Sequence, residues 1–335
     1  MNLRLNRRAP PFALVAATIT SSMLVLLNPA PAAFAQSWPA KNVRLIVPFP
    51  PGGNVDNAAR VLAPALQDAF GQPFLIENRP GAGGMIGAEM VVKAPPDGYT
   101  LFVSSNGPLL FSPLIFGRPT YDWSKDFAPV SSISFTALVL QVHPSVPVKT
   151  VAEFVALVRK QPGKLAMATP GGGTTNHLLS ELMQSTLGLN WITVHYKGNA
   201  PASTDLLAGH VHFNFDQVAV SLPFIRAGRL RPLAVSSFER TASLPEVPTF
   251  AEAGLKGMEA ETFTALAGPA AMPRDLVNRL STAMIKVLSE RGVAERFAAM
   301  GALARGSTPE DIATYMRREF DKWAPVIRRA NIKAD

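Results

Sequence analysis

The sequence predicts an α/β protein of two lobes, each a sheet flanked by helices, with a ligand cleft between the lobes. Three observations predict it. Strand-like and helix-like runs alternate from Asn42 to Ser105 and again from Thr150 to Ser236, which is the pattern of sheets covered by crossover helices. A section of different character, the apolar and strand-like Phe127 to Val142, separates the two blocks. Two glycine-rich turns, Pro50-Pro51-Gly52-Gly53-Asn54 and Thr169-Pro170-Gly171-Gly172-Gly173-Thr174-Thr175-Asn176, each follow a strand-like run and open a helix-like one. Open α/β sheets hold ligands at such strand ends, and a helix N-terminus with close N–H groups suits an anion.

The elements follow in order. Asn42–Phe49 is a short buried strand, and Val55, Ala58, Ala59, Leu62 and Leu66 then recur at helical spacing. Asn54 is the expected N-cap of that helix, with Asp56 in its first turn to suit the dipole. Phe74–Glu77 is a second strand; the turn Asn78 to Gly84, read as lobe packing, leads to a helix over Met85–Lys93. Pro95-Pro96-Asp97-Gly98 ends it, and Tyr99–Ser105 is the next strand. Thr150-Val151-Ala152-Glu153 is a capping box opening a helix to about Lys160. Strands at Leu165–Thr169, Ile192–Tyr196, Val211–Asp216 and Pro232–Ser236 alternate with helices centred near Leu182, Leu206 and Leu222. Leu244–Gly254 is a proline-broken connector ending in a short helix, and Glu261–Ala267 a strand. Two helices close the chain, Pro273–Arg291 and Pro309–Ala330; Thr308-Pro309-Glu310-Asp311 supplies the second with a cap, proline at N1 and first-turn acids.

Those closing helices need a sheet to cover. Returned to the first block, they make one discontinuous lobe, 36–140 with 263–335, and one inserted lobe, 141–262. The two crossovers make a hinge, and a ligand sits in the cleft.

Residues 1–35 read as a signal peptide: Arg4, Arg7 and Arg8, an apolar stretch from Phe12 to Leu27, then Ala33-Phe34-Ala35 before the cut at Gln36. The stretch is short for a membrane anchor and is followed by Pro29 and Pro31. About 300 residues remain, which suits two domains. The formal charge of +8 includes the three leader arginines. The remaining basic residues are dispersed, which argues against a nucleic-acid partner.

There is no cysteine, which removes thiol catalysis, disulfides and thiolate metal sites. Motifs of serine hydrolases, zinc proteases and nucleotide-binding loops are absent from the sequence. His210 and His212 lie two apart on the expected strand, without a third ligand at metal spacing, and read as a solvated face. Neither catalytic residue, metal nor cofactor is expected. The residues alone point to a binding protein that takes a small anion between two lobes. The alternatives are a ligand-loaded sensor docking on a receptor domain and an exported enzyme.

A family resemblance rests on landmarks spread along the chain. They are Val47-Pro48-Phe49-Pro50-Pro51-Gly52-Gly53-Asn54-Val55-Asp56, Glu77-Asn78-Arg79-Pro80-Gly81-Ala82-Gly83-Gly84-Met85-Ile86-Gly87 and Pro96-Asp97-Gly98-Tyr99-Thr100-Leu101. Lys125-Asp126-Phe127-Ala128-Pro129-Val130, His195-Tyr196-Lys197-Gly198, Pro245-Glu246-Val247-Pro248-Thr249 and Glu252-Ala253-Gly254 complete the set. In this order they resemble the periplasmic solute-binding proteins of tripartite tricarboxylate transporters, the Bug family. The resemblance implies a type II periplasmic-binding-protein fold that closes like a flytrap on a small carboxylate, held by backbone amides, hydroxyls and waters. It implies delivery to membrane transporter subunits by a periplasmic, monomeric protein. Phe49, Pro51, Gly52, Gly53 and Asn54 would form the first lobe's wall, and Ser104, Ser105 and Asn106 would end the adjacent strand. Gly171, Gly173, Thr174, Thr175 and His177 would supply the second lobe's grip, with Tyr196 and Asp216 nearby. The chain departs from the family's usual turns at Gly171–Thr174 and Ser105–Pro108.

The leader reading sets an expected outcome. Intact-mass analysis of the exported protein should give a chain beginning at Gln36; a mass that still contains Arg4–Arg8 would refute it.

Overall fold

A run such as Val43–Val47, with Val43, Leu45, Ile46 and Val47 all buried, needs apolar cover on both of its faces. A computed structural model describes residues 38–117, 120–329 and 331–333; the leader read over 1–35 lies outside them. In the unit running from Pro39 onward, β1 (Val43–Val47) sits between β2 (Phe74–Asn78) and β3 (Thr100–Ser105), parallel to both. Helices α1 (Asn54–Phe70) and α2 (Met85–Val92) are the crossovers. The exposed Arg44 pairs with Glu77 of β2 at 2.6 Å. After β3, a wide helical turn, Gly107–Phe111, runs into the short α3 (Ser112–Ile115), and α4 (Trp123–Asp126) precedes the next strand. Periodicity gave no sign of the Gly107–Ile115 segment, because it is buried almost throughout.

The strand β4 (Phe127–Val142) is sixteen residues long and runs through two halves of a single sheet. Residues 127–137 pair antiparallel with β9 (Glu261–Pro269), and residues 138–142 pair antiparallel with β7 (Phe213–Gln217). After β4 come α5 (Val151–Lys160), β5 (Ala166–Thr169), α6 (Thr175–Leu187), β6 (Ile192–His195) and α7 (Asn199–Leu207). Then follow β7, α8 (Val218–Arg226) and β8 (Arg231–Val235). β5 lies parallel to both β6 and β7. The sheet order is β2-β1-β3-β9-β4-β7-β5-β6, with β8 and β10 (Leu303–Ala304) pairing β4 off this path. Each half is thus three parallel strands closed by an antiparallel one. The alternation accounts for the three parallel strands of each half; β9 and β4, which connect the halves, are antiparallel to them.

The chain passes between halves a second time between β8 and β9, and Ser236 ties the two passages together. Its N–H donates to Leu138 O (2.8 Å), and its Oγ accepts from Leu138 N (2.8 Å). The same Oγ donates to Ala260 O (2.5 Å), while Ala260 N donates back to Ser236 O (2.9 Å). Ser236 is buried, so none of these backbone groups has water as an alternative.

The N-cap half of the predicted capping box forms, with Thr150 Oγ1 accepting from Glu153 N; the Glu153 carboxylate reaches one residue further back and accepts from Lys149 N, not from Thr150 N. Three further expectations are corrected. Three helices close the chain, not two: α9 (Arg274–Ser289) and α11 (Pro309–Arg329) correspond to the expected pair, and an unexpected α10 (Arg291–Ala299) starts after the extended Glu290 (φ −63°, ψ 129°). Leu244–Gly254 is a series of turns without the expected short helix. His210 and His212 precede β7 instead of lying on it; His212 Nδ1 accepts from Ala166 N, and His210 Nδ1 is 3.4 Å from Asp205 Oδ1. α9 packs on α1 and β4, the first half of the sheet, as a returning segment must.

Ser236→Ala should remove about 2 kcal/mol of stability, since it strands a buried N–H at Leu138 and a buried carbonyl at Ala260. Urea unfolding measures it; a loss within 0.5 kcal/mol, the range of an ordinary surface change, would show that the passages are held by other means.

Candidate functional site

Three helix starts converge where the two halves of the sheet meet. The first follows β1. In the turn Pro48–Gly53, Gly52 adopts φ +84° and its N–H donates to Asp56 Oδ2 (2.8 Å). Arg60 and Asn78 donate to the same carboxylate. Burial works to raise the Asp56 pKa, but the bonds from Arg60, Gly52 and Asn78 together hold it below the usual carboxylate range. Asp56 is therefore a clamp on the turn. The cap residue of α1 is Gly53 and not the expected Asn54: Asn54 is already helical, and its Nδ2 is buried with no hydrogen-bond partner.

The second start follows β5. Gly171 (φ +147°) and Gly173 (φ +81°) bend the chain so that Thr174 caps α6. Thr174 Oγ1 donates to Gly171 O (2.8 Å) and accepts from His177 N (3.4 Å). The next hydroxyl, Thr175 Oγ1, is buried and unpartnered. The third start is α7, whose first residue, Asn199, accepts at Oδ1 from Asn54 N across the junction (3.4 Å). A Cβ built on Gly53 would stand 3.0 Å from that same Oδ1, so glycine there permits the approach.

These starts enclose a small polar cavity of about 10 Å³, the space of a single water. Asn54, Ser105, Thr174, Thr175, Asn176, Asn199, Gln217 and Thr262 provide its polar lining, and Phe49, Val55 and Pro170 its apolar lining. No lysine, arginine or histidine is among the lining residues.

Asp216 lies behind this lining, on β7, fully buried. It accepts from Asn199 Nδ2 (2.6 Å), Gln217 N (2.9 Å), Ser203 Oγ (3.3 Å) and Asn176 Nδ2 (3.3 Å). Gln217 Nε2 extends the network to Asn176 Oδ1 (2.9 Å) and to Thr262 Oγ1 on β9 (3.0 Å). Burial pushes the Asp216 carboxyl up to about 7, against the pull of these donors. Its place is that of an anchor orienting two cavity carboxamides, those of Asn176 and Asn199; it does not line the cavity itself.

The other predicted residues divide. Phe49, Asn54, Ser105, Thr174 and Thr175 line the cavity. Ser104 Oγ is buried without a partner but outside the lining. Asn106 is engaged by β9, accepting from Phe263 N and donating to Glu261 O. Pro51 is exposed, and Gly52 faces Ala200 at the edge of α7. Gly173 packs against Ser112 and Ile115. The His177 ring is sealed inside: Nδ1 accepts from Gly173 N, the face meets His195 edge-on, and burial, aided by His195, lowers its pKa to about 3. It is a neutral packing ring. Sequence reasoning missed Asn176, Asn199, Gln217 and Thr262, which lie on four separate elements; the glycine before Asn199, at φ +138°, was the available signal.

Outside the cavity lies a cleft of about 290 Å³, lined on one side by Pro48, Phe49 and the turn Gly81–Gly84 and on the other by Pro170–Gly172 and His195–Lys197. Phe49 and Pro170 belong to the walls of both spaces. Gly171 and Tyr196 thus line the cleft and not the cavity; the Tyr196 hydroxyl bonds Asp205 Oδ2 at 2.6 Å. The Gly81–Gly84 turn, read as packing, serves both ends: Gly83 abuts Gly172 O and the Phe116 ring, and the turn forms cleft wall. All four of its residues have positive φ, including Ala82 at +47°, a conformation that costs a non-glycine residue about 1–2 kcal/mol.

Comparison with known proteins agrees with this geometry. Residues 58–332 match the family described as the tripartite tricarboxylate transporter family receptor. The chain is similar to the protein BugT of Bordetella pertussis, 37% identical over 300 residues that cover 89% of this chain and 92% of that protein. It is similar to the solved structure of R. palustris Rpa4515 with adipate, with TM-score 0.86 and 35% identity, covering 88% of this chain and 99% of the other. MatC from Rhodopseudomonas palustris with bound malate gives a TM-score of 0.82 and 31% identity, covering 86% of this chain and 99% of the other.

The Asp216 environment predicts a pH signature. Its folded pKa, about 7, lies above its unfolded value near 3.8, so its proton-linked stabilisation is complete below about 4 and is lost as pH rises through 7. The deficit of Asp216→Asn relative to the parent should be largest near pH 4 and shrink toward pH 8 in urea titrations. A deficit that grows with pH would mean the carboxylate is held ionised.

Proposed function

The chain belongs to the tripartite tricarboxylate transporter family of receptors, which are solute-binding proteins and not enzymes, and on that premise we propose that it captures a small carboxylate between two lobes and delivers it to the membrane subunits of a transporter. The family is periplasmic, and no helix of the described residues is long and apolar enough to cross a membrane. We place this protein in the periplasm as a monomer, cut near Ala35–Gln36. Its lobes are 36–140 with 263–335 and 141–262, a division supported by the change of partners along β4 between Ala137 and Leu138.

The observation that carries the reading is the pair of unpartnered buried groups on the cavity wall, Asn54 Nδ2 and Thr175 Oγ1. One comes from the first helix start and one from the second. An unsatisfied buried polar group costs about 1–3 kcal/mol, and a bond to a charged acceptor contributes about 1.5–3 kcal/mol. A carboxylate oxygen answers both, since an amide N–H and a hydroxyl are donors that need no counter-charge. Two or three such bonds contribute about 3–9 kcal/mol before ordering costs are counted, a large part of the about −8 kcal/mol that micromolar binding requires. The solved relatives carrying adipate and malate belong to the same ligand class. A cavity of about 10 Å³ admits such a molecule only when the lobes part, which fits closure about the β4 and Ser236 passages.

A thermal-shift panel of carboxylates against their matched amides tests the proposal. An acid at about a hundred times its dissociation constant should add about 2.7 kcal/mol, a shift of a few degrees for a protein of this size. Acids should shift the melt and amides should not. Equal shifts from both, or none from any acid, would count against carboxylate capture.

A further inference from the structure

We propose that the pocket where β4, the loop Arg305–Ser307 and α11 meet is a second binding site, one that takes a doubly charged oxyanion between Arg305 and Arg318. It shares no lining residue with the inner cavity or the outer cleft, and it does not depend on the capture reading. Its volume is about 540 Å³, larger than the outer cleft and within the usual span of small-molecule pockets, about 300–1,000 Å³. The loop that carries Arg305 is fixed in place. β4 is bulged on either side of Ser131–Ser132, a device that re-aims side chains. Arg305 N donates to Ile133 O (3.0 Å), and Ser132 Oγ donates to Arg305 O (2.5 Å). Ser132 N donates to Ser307 Oγ (3.0 Å), and Ser307 N to Ser131 Oγ (2.9 Å). A Cβ on Gly306 would stand 2.6 Å from Ile285 Cα of α9, so glycine lets the loop lie against that helix.

The two guanidinium groups are oriented by aromatic faces. Arg305 lies over the Phe135 ring at 5.8 Å and Arg318 over the Tyr315 ring at 4.9 Å, and those rings meet edge-on at 5.2 Å. Stacking of this kind holds the planar forks that recognise oxyanions. Among the described residues, no ion pair engages either arginine. The nearby acids do not neutralise them. Asp311 is the acid on the pocket wall, against two arginines. Glu261 and Glu319 lie outside the lining, and burial raises the pKa of both against the pull of Arg318 and Lys322, joined at Glu261 by Arg305. Two like charges on one wall repel, and a dianion that bonds to both removes that cost. The pocket is open to solvent at both arginines, which are exposed, so the attraction is screened by salt.

Calorimetric titration of the purified protein with inorganic phosphate tests this, at low and constant ionic strength and near pH 8, where phosphate is doubly charged. Saturable binding at one site is expected. Arg305→Gln and Arg318→Gln should each weaken it about tenfold, the change made by 1.4 kcal/mol, and should still melt cooperatively. Arg305→Lys and Arg318→Lys keep the charge but lose the fork, and should fall between the parent and the glutamine variants. Asp311→Asn removes the like charge on the wall and should tighten binding about threefold. Thr175→Val alters the inner cavity and should leave phosphate binding unchanged. Nitrate, with one charge, should bind about tenfold more weakly than phosphate. Phosphate binding that is lost in Thr175→Val but kept in the arginine variants would place the anion in the inner cavity and overturn the site. Unchanged affinity in every variant, or no saturable binding by the parent, would overturn it too. Nitrate binding as tightly as phosphate would overturn the doubly charged ligand.

Discussion

The backbone groups where the chain passes between the two halves of the sheet set the terms for everything else. β4 continues through the junction, so one strand must be complemented by different partners on either side of Ala137 and Leu138. The second passage has to run close beside it, and Ser236 satisfies buried groups of both. Buried N–H and C=O groups without partners are too costly to persist. The two halves are thereby held in register, which brings the starts of α1, α6 and α7 together at one place.

That meeting place would be unfavourable without something to answer its donors. Helix starts expose N–H groups, and the lining adds carboxamides and hydroxyls without any cationic side chain. Most of this polarity is satisfied internally. Asp216 collects donors from α6, α7 and β7, and Gln217 passes the network to Thr262 on β9. Two of the lining residues nevertheless keep an unpartnered buried polar atom, Asn54 Nδ2 and Thr175 Oγ1. Neutral donors suit capture and release: they discriminate by geometry, and they leave no uncompensated charge behind when the ligand departs.

The glycine-rich turns contribute in different ways. Gly53 removes a side chain where Asn199 must approach, Gly171 and Gly173 supply backbone angles that let Thr174 cap α6, and the Gly81–Gly84 turn forms outer wall while touching Gly172. The strained Ala82 in that last turn is the kind of local cost that tends to sit beside a site. The inner space is polar and small while the outer one is larger and partly apolar, so the two ends of a ligand meet different chemistry.

The sequence by itself determined the α/β class, the order and limits of most strands and helices, the long strand at Phe127–Val142, and the two glycine turns that open α1 and α6. These are local: side-chain periodicity, capping residues and glycine content act within a few positions of the chain. Four of the residues expected at the ligand, Phe49, Asn54, Thr174 and Thr175, are on the cavity wall for the same reason, since they flank those turns, and Ser105 joins them from the end of β3. What only the tertiary structure decided was convergence. Asn199, Gln217 and Thr262 reach the cavity from α7, β7 and β9, His177 turns into packing, and Asn106 is taken by β9. Periodicity tells which face of an element is buried, but not which distant element it meets. The choice between a ligand contact and an internal hydrogen bond is made by atoms more than a hundred residues apart, as with Asn54 and Asn199, and a local pattern carries no trace of it.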